Sequence, residues 1–194
     1  MDEDVGVTWA AVILTGGTAA RLGGEDKAAL EHAGRSLLEG ALAAVAGAAE
    51  VVVVGPRTPT TTSVRFARED PPGGGPLAGV AAGVAALEAE HERVVVLAVD
   101  MPHVTAGTVA RLLAAAEEVD AAWLTDSGGR RQLAGVVRPS LVPSTDGADG
   151  APMRTLMAAG TSHDVPARDH EGDDIDTWDD VARLLGDEPP GLRT

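Results

Sequence analysis

The chain has 194 residues, the length of one domain and enough to bury an ordinary core. Hydrophobic residues make up 44% of it but aromatic residues only 2%, so the core must be built from Ala, Val and Leu, and the absence of cysteine excludes disulfides, thiolate nucleophiles and Cys-based zinc sites. A net charge of −15 sets most of the surface against nucleic acid and anionic membranes, so an anionic small substrate needs a local cluster of cations.

The acidic start MDEDVGV lacks the basic and long apolar regions of a secretory signal. No apolar run approaches the ~18–20 residues of a membrane-spanning helix. A cytoplasmic location is expected, with a single domain over 1–194 whose tails, 1–7 and 187–194, are expected to be disordered. Between them, short apolar β-branched runs alternate with longer Ala/Leu-rich stretches, the pattern of a mostly parallel α/β sheet.

A first strand, Ala10–Leu14, leads into a glycine loop, and a helix is predicted over 36–47. Strands follow at Val51–Val54 and Val64–Ala67, the latter ending in Arg68-Glu69-Asp70. Gly73-Gly74-Gly75 then opens a helix to about Glu90, with Pro76 at the favoured first position. Val94–Val99 reads as a strand buried on both faces and ends at Asp100-Met101-Pro102. Thr105 suits the N-cap of a helix over Ala106–Ala116. Strands at Ala121–Leu124 and Leu133–Val137 are split by the turn Asp126–Gly129. Pro143–Gly150, rich in Ser, Asp, Gly and Pro, is expected to be a surface loop. A short helix near 152–159 and a last helix over Thr177–Leu185 complete the pattern.

The glycine loop, LTGGTAARLGGEDKAAL over 14–30, holds Lys27, the only lysine in a chain that otherwise uses arginine. It is not a Walker A loop, because Lys27 follows Asp26 and precedes Ala28. Nor is it a dinucleotide fingerprint, because Gly16 and Gly17 are adjacent. Gly16 and Gly17 let backbone approach phosphate oxygens, Arg21 offers a planar fork of donors, and Lys27 a compact charge. That set suits a triphosphate. The same spacing also suits a glycine turn with two solvated cations.

Asp100 stands at the predicted carboxyl end of a buried strand, where open parallel sheets bind ligands, and a carboxylate there suits Mg²⁺ beside substrate phosphates. It equally suits the cap of the turn before Pro102. Gly79 and Gly83, four apart on one helix face, suit close helix packing. The five histidines (His32, His91, His103, His163, His170) show no metal-ligand spacing and are expected on the surface or in loops. No G-x-S-x-G elbow is present, so a serine nucleophile has no support.

Leu14-Thr15-Gly16-Gly17…Arg21-Leu22-Gly23…Asp26-Lys27 resembles the L-A-G-G-x-x-x-R-M-G-x-D-K signature of nucleotidyltransferases, and within them the molybdenum cofactor guanylyltransferases. Four further stretches, in order, are similar to segments of that family: Glu69-Asp70 with Gly75-Pro76-Leu77-Ala78-Gly79; Val99-Asp100-Met101-Pro102; Arg131-Gln132-Leu133; and Asp174-Ile175-Asp176-Thr177.

The resemblance implies a Rossmann-like three-layer sandwich of the nucleotide-diphospho-sugar transferase type. It also implies transfer of GMP from GTP to molybdopterin with Mg²⁺, and transient contact with proteins that deliver or receive the cofactor. It assigns nucleotide binding to Leu14, Thr15, Gly16, Gly17, Lys27, Asp70 and Asp100, catalysis to Arg21, Lys27 and Asp100, and the metal to Asp100. Locally, Asp70 also reads as a turn aspartate.

Asp174 and Asp176 replace the family's usual asparagines. They suit either the metal or pterin side of the site, or the N-terminus of the last helix, where Thr177 and Asp180 make a capping pair. Thr15 for alanine, Val54-Gly55-Pro56 in place of an asparagine, Trp178 for proline and the missing proline of R-x-Q-P-L are departures. They bear on which nucleotide and acceptor are used. Competing readings are a cytidylyltransferase for the same cofactor, a 2-phospholactate-type guanylyltransferase, and a non-catalytic nucleotide-binding or cofactor-chaperone protein. The Gly-Pro-Leu-Ala-Gly segment favours the molybdenum branch.

Overall fold

The computed structural model describes residues 8–15 and 27–185. In chain order these form β1 (Trp9–Leu14), a small hairpin of β2 (Glu31–His32) and β3 (Arg35–Ser36), α1 (Leu37–Ala44), β4 (Glu50–Val54), β5 (Arg65–Ala67) and α2 (Pro76–Ala85). Then come β6 (Arg93–Ala98), α3 (Ala106–Ala115), β7 (Ala121–Thr125), β8 (Arg131–Val137), the short α4 (Thr145–Ala148) and α5 (Arg154–Met157), β9 (Ser162–Pro166) and α6 (Trp178–Leu185).

Seven strands make one sheet in the order β5-β4-β1-β6-β8-β7-β9. Every neighbouring pair is parallel except those of β8, which runs antiparallel to both β6 and β7. The order reverses next to β1, which pairs with β4 on one side and β6 on the other. Ligands bind at such a switch point in open α/β sheets.

Strand side chains alternate between two cores. Ala11, Ile13, Val53, Val95, Leu97 and Leu124 face α1, α3 and α6, which contribute Leu38, Leu112 and Val181. Ala10, Val12, Val52, Val54, Val96 and Trp123 face the other layer, with Leu77 of α2, Ala148 of α4 and Leu156 of α5. This is the expected three-layer sandwich. Small side chains suffice because α2 lies very close to the sheet. A Cβ on Gly79 would come 3.2 Å from Leu14, and one on Gly83 would overlap Val12 and come 3.0 Å from Val54. The four-residue glycine spacing is thus a packing device.

Element ends mostly agree with the sequence reading to within three residues, and four larger features differ. The second helix stops at Ala85 rather than near Glu90, because the Glu50 carboxylate accepts from the Glu88 and Ala89 amides, at 2.9 and 3.4 Å. The Pro143–Gly150 stretch is not simply a loop. Residues 145–148 turn into α4, Ala148 is fully buried, and the Gly150 amide bonds Gly74 O at 3.1 Å, which docks the segment on the start of α2. The hairpin β2–β3 and the edge strand β9 were not anticipated. The hairpin turns through Ala33 and Gly34, both at positive φ. In β9 only Val165 is buried, so no apolar run marks it. Among the described residues no helix is long and apolar enough to cross a membrane.

Gly83→Ala is expected to cost about 1–3 kcal/mol by overpacking, seen as a lower urea midpoint at an unchanged m-value. Gly40→Ala, whose added methyl meets nothing within 4 Å, serves as control. Its midpoint should hold or rise, since alanine is the better helix residue by about 0.5–1 kcal/mol.

Candidate active site

The parallel strands end in a set of final backbone bonds. Thr15 donates both its amide (3.0 Å) and its hydroxyl (3.1 Å) to Val54 O. Val99 N bonds Leu14 O at 2.9 Å, and Gly55 N bonds Ala67 O at 3.0 Å. β4, β1 and β6 run parallel and end at these rungs, on one edge of the sheet. Leu14 itself is buried beneath Gly79, so it contributes backbone rather than side chain to this edge.

Gly16, Gly17 and Arg21 lie outside the described residues, as do the two tails. Lys27 opens a 3-10 turn, Lys27–Ala29, whose next residue, Ala28, is buried. The turn is anchored by Leu37 N bonding Leu30 O at 2.8 Å. Asp70 lies exposed in the bend after β5. That bend passes through Gly73 and Gly75, both at φ 89°, a left-handed backbone that glycine adopts without strain. Glu69 accepts from the Gly73 amide at 3.3 Å. Pro76 occupies the first turn of α2, as the sequence indicated.

Asp100 follows β6, and its carbonyl accepts from Ile175 N at 3.0 Å. Ile175 is fully buried, so this bond seats the Asp174-Ile175-Asp176 segment against the end of β6. Burial first, then the charges of Asp176 and Asp100, push the Asp174 carboxyl above its ordinary value. Asp174 therefore lies within electrostatic reach of both Asp100 and Asp176. The capping task falls to the neighbouring pair instead. Thr177 N bonds Asp180 Oδ2 at 2.9 Å, and Asp180 N bonds Thr177 Oγ1 at 3.2 Å. Burial alone would raise the Asp180 carboxyl. Hydrogen bonds from Arg183, from Thr177 and from the amides of Asp176 and Thr177 outweigh it and hold Asp180 at about 2.

Other charged residues brace this edge. Glu171 accepts two bonds from Arg111 at 2.9 Å and one from Thr108 Oγ1 at 2.6 Å, pinning the 168–173 bend to α3. Thr105 caps α3 as expected, in a capping box with Thr108. Arg131 bonds Asp164 at 2.6 Å, Ser162 at 2.9 Å and the Met157 carbonyl, tying β8 to β9 and α5. Gln132 is buried and bonds Asp126 at 2.8 Å. The Arg131–Leu133 motif therefore supports the sheet edge through these two side chains.

His91 lies in the loop before β6, as expected, and its ring packs against Glu50 with Nε2 at 3.3 Å. His32, His103 and His170, far apart in sequence, meet in a row. Only coordinates reveal this, since no spacing links them. Among the described residues no group of three or more His, Asp or Glu side chains is arranged to hold a metal ion by itself.

A mixed α/β sheet with its loops gathered at the carboxyl ends of parallel strands, beside the order reversal, defines a protein of the Rossmann-like nucleotide-binding class. The chain belongs to the family of the MobA-like NTP transferase domain, whose model matches residues 11–165. A molybdenum cofactor guanylyltransferase of Xanthomonas euvesicatoria is 43% identical over 108 residues, covering 55% of this chain and 54% of the relative. One of Shewanella amazonensis is 30% identical over 157 residues, 77% of this chain and 75% of the relative. The matched stretch thus spans about half the length of the first relative and three quarters of the second. The crystal structure of molybdopterin-guanine dinucleotide biosynthesis protein A from Archaeoglobus fulgidus superposes with a TM-score of 0.71 at 19% identity, covering 91% of this chain and 97% of that one. At that identity the likeness concerns the fold.

Two acid-range measurements check the electrostatics. Burial would raise the Glu171 carboxyl, but bonds from Arg111, Thr108 and the Arg168 amide hold it at about 2, below the ordinary 4.5. Its stabilisation is therefore full above pH 4.5 and lost as pH falls towards 2. Glu171→Gln should remove part of the wild-type fall in urea midpoint across that window. Asp174 has the opposite sign, because its folded carboxyl prefers the proton. Asp174→Asn should raise the melting temperature at pH 7, with the gain fading as pH drops through 3.8.

Proposed function

We propose that the protein is a cytoplasmic guanylyltransferase that transfers GMP from GTP to molybdopterin, with or without molybdenum, and releases pyrophosphate. The observation that carries this reading is the Asp100–Ile175 backbone bond. It seats the Asp174–Asp176 segment against the residue that follows β6, at the carboxyl edge where β1 also ends at Leu14. Family membership and the names of the Xanthomonas and Shewanella relatives support the substrates.

A phosphate oxygen of molybdopterin attacks the α-phosphorus of GTP in line. One P–O bond forms, the bond to the β-phosphate breaks, and pyrophosphate leaves with its electron pair. A phosphate monoester has its second pKa near ~6, so the nucleophile is ionised at neutral pH without a general base. The protein's task is then to bring two polyanions together and balance their charge. The backbone of Leu14, Thr15, Gly16 and Gly17 cradles the nucleotide and Asp70 contacts its guanine moiety. Arg21 and Lys27 neutralise the β- and γ-phosphates.

Asp100, beside the Asp174 and Asp176 carboxylates, is a hard-oxygen donor set of the kind Mg²⁺ takes when substrate phosphates and water complete its shell. Asp100 would hold the ion, and the ion would supply charge stabilisation at the phosphates.

Pyrophosphate release should require GTP, Mg²⁺ and molybdopterin together. Release with CTP instead, or indifference to molybdopterin, would overturn the assignment. Lys27→Ala and Asp100→Ala should each fold normally and lower turnover by roughly a hundredfold, the scale of one lost electrostatic stabiliser. Near-wild-type turnover in either would remove that residue from the mechanism.

A further inference from the structure

Three of the five histidines form a stack at the edge of the candidate site. The His103 ring lies edge-on to His32, with centroids 5.2 Å apart and planes at 81°, and tilted against His170 at 5.7 Å and 46°. The three come from separate segments, and each segment carries a residue of the site. His32 is five residues after Lys27, His103 three after Asp100, and His170 four before Asp174. Beneath the rings the same segments are joined by the backbone bond from Ile175 to Asp100 and by the packing of Ala28, Met101 and Ile175 in one buried cluster.

Hydrogen bonding does not fix the central ring. His103 makes no side-chain hydrogen bond among the described residues, and Nδ1 of His32 is buried there without a partner. Packing holds them. Among the described residues, one carboxylate lies within bonding distance of the three rings: Asp173, bonded to His170 Nδ1 at 3.0 Å and to Arg183 of α6 at 2.9 Å. His103 therefore faces two imidazoles, with Asp173 and Arg183 behind them. A cavity of about 460 Å³ beside it is lined by the paired Arg111 and Glu171, with Arg168 and Asp169. On its other side Arg35 of β3 lines the cavity that His32 shares.

We infer that His103 is a positioning residue for nucleotidyl transfer. As a neutral ring it holds the segments carrying Lys27, Asp100 and Asp174 in register; as an imidazolium between two other rings it loosens them. Two neutral imidazoles pack edge to face, whereas a charged one loses its solvation when buried between other rings. Consistent with this, burial first, then the neighbouring His32 and His170, hold His103 below the ordinary 6.5. A lowered folded value means that the neutral ring's stabilisation is present above pH 6.5 and lost as pH falls through the folded value. The inference rests on the proposed transferase reading for its catalytic half only.

An NMR titration of the full chain without substrates tests the coupling directly. The amides of Ala28, Met101 and Ile175 should shift together with the His103 ring, at a midpoint below 6.5. This common titration should vanish in His103→Phe, or in His103→Gln if the phenylalanine variant does not fold. Amides that ignore the ring, or that titrate identically in the variant, would overturn the inference.

The pH profile of pyrophosphate release gives the second readout. The ratio of kcat at pH 5.5 to kcat at 7.5 should be at least about threefold higher in the variant than in the wild type, as expected when one titrating group leaves the acid limb. Equal ratios would also overturn it, since the acceptor phosphate titrates alike in both. If the wild type releases no pyrophosphate at any pH, the transferase reading fails, and the amide titration still decides the coupling for or against.

Discussion

The last rungs of the parallel ladder govern everything at the candidate site. Val99 N on Leu14 O and Thr15 N on Val54 O close the pairing of β1 with both its neighbours. With those bonds the strands end. Since β4, β1 and β6 run in the same direction, all three end on one edge. That alone brings the Thr15 loop, the bend carrying Asp70, and Asp100 to a common place, though they are distant in sequence. The close seat of α2 over β1 and β4, possible because of Gly79 and Gly83, then sets the opening of α2 above the same edge.

Charge explains much of the remainder. A chain with a net charge of −15 gathers three carboxylates, Asp100, Asp174 and Asp176, at the edge where the proposed substrate would place its own anions. Burial and the other two together raise the Asp174 carboxyl. A few residues away the opposite holds. Glu171 and Asp180 are pulled down by arginines, threonine hydroxyls and backbone amides.

How far the residues themselves announced this varies from one element to the next. β1 and β6 were legible because a strand buried on both faces must be apolar throughout, and Val94–Ala98 is. Thr105 and Thr177 were legible as caps because a helix start needs a side-chain acceptor next to it in sequence. β9 was not, since an edge strand with one buried residue needs no apolar pattern. The early end of α2 depends on Glu50, a carboxylate 38 residues away. At the site, Asp100 and the Asp174–Asp176 segment each drew attention separately, but nothing in their spacing says that Ile175 bonds the Asp100 carbonyl. His32, His103 and His170 carry no shared signal at all.

The sequence by itself determined the α/β alternation, the glycine spacing that lets a helix sit on a sheet, and the cap and turn chemistry. It also held the ordered motifs that mark the family. All of these are local, because they depend on residues within a turn or two of one another. Tertiary structure alone decided which motifs share an edge, that Asp174 is crowded by Asp100 and Asp176, and that three histidines stack beside them. Those facts follow from strand order and direction, which bring together segments that the chain holds tens of residues apart.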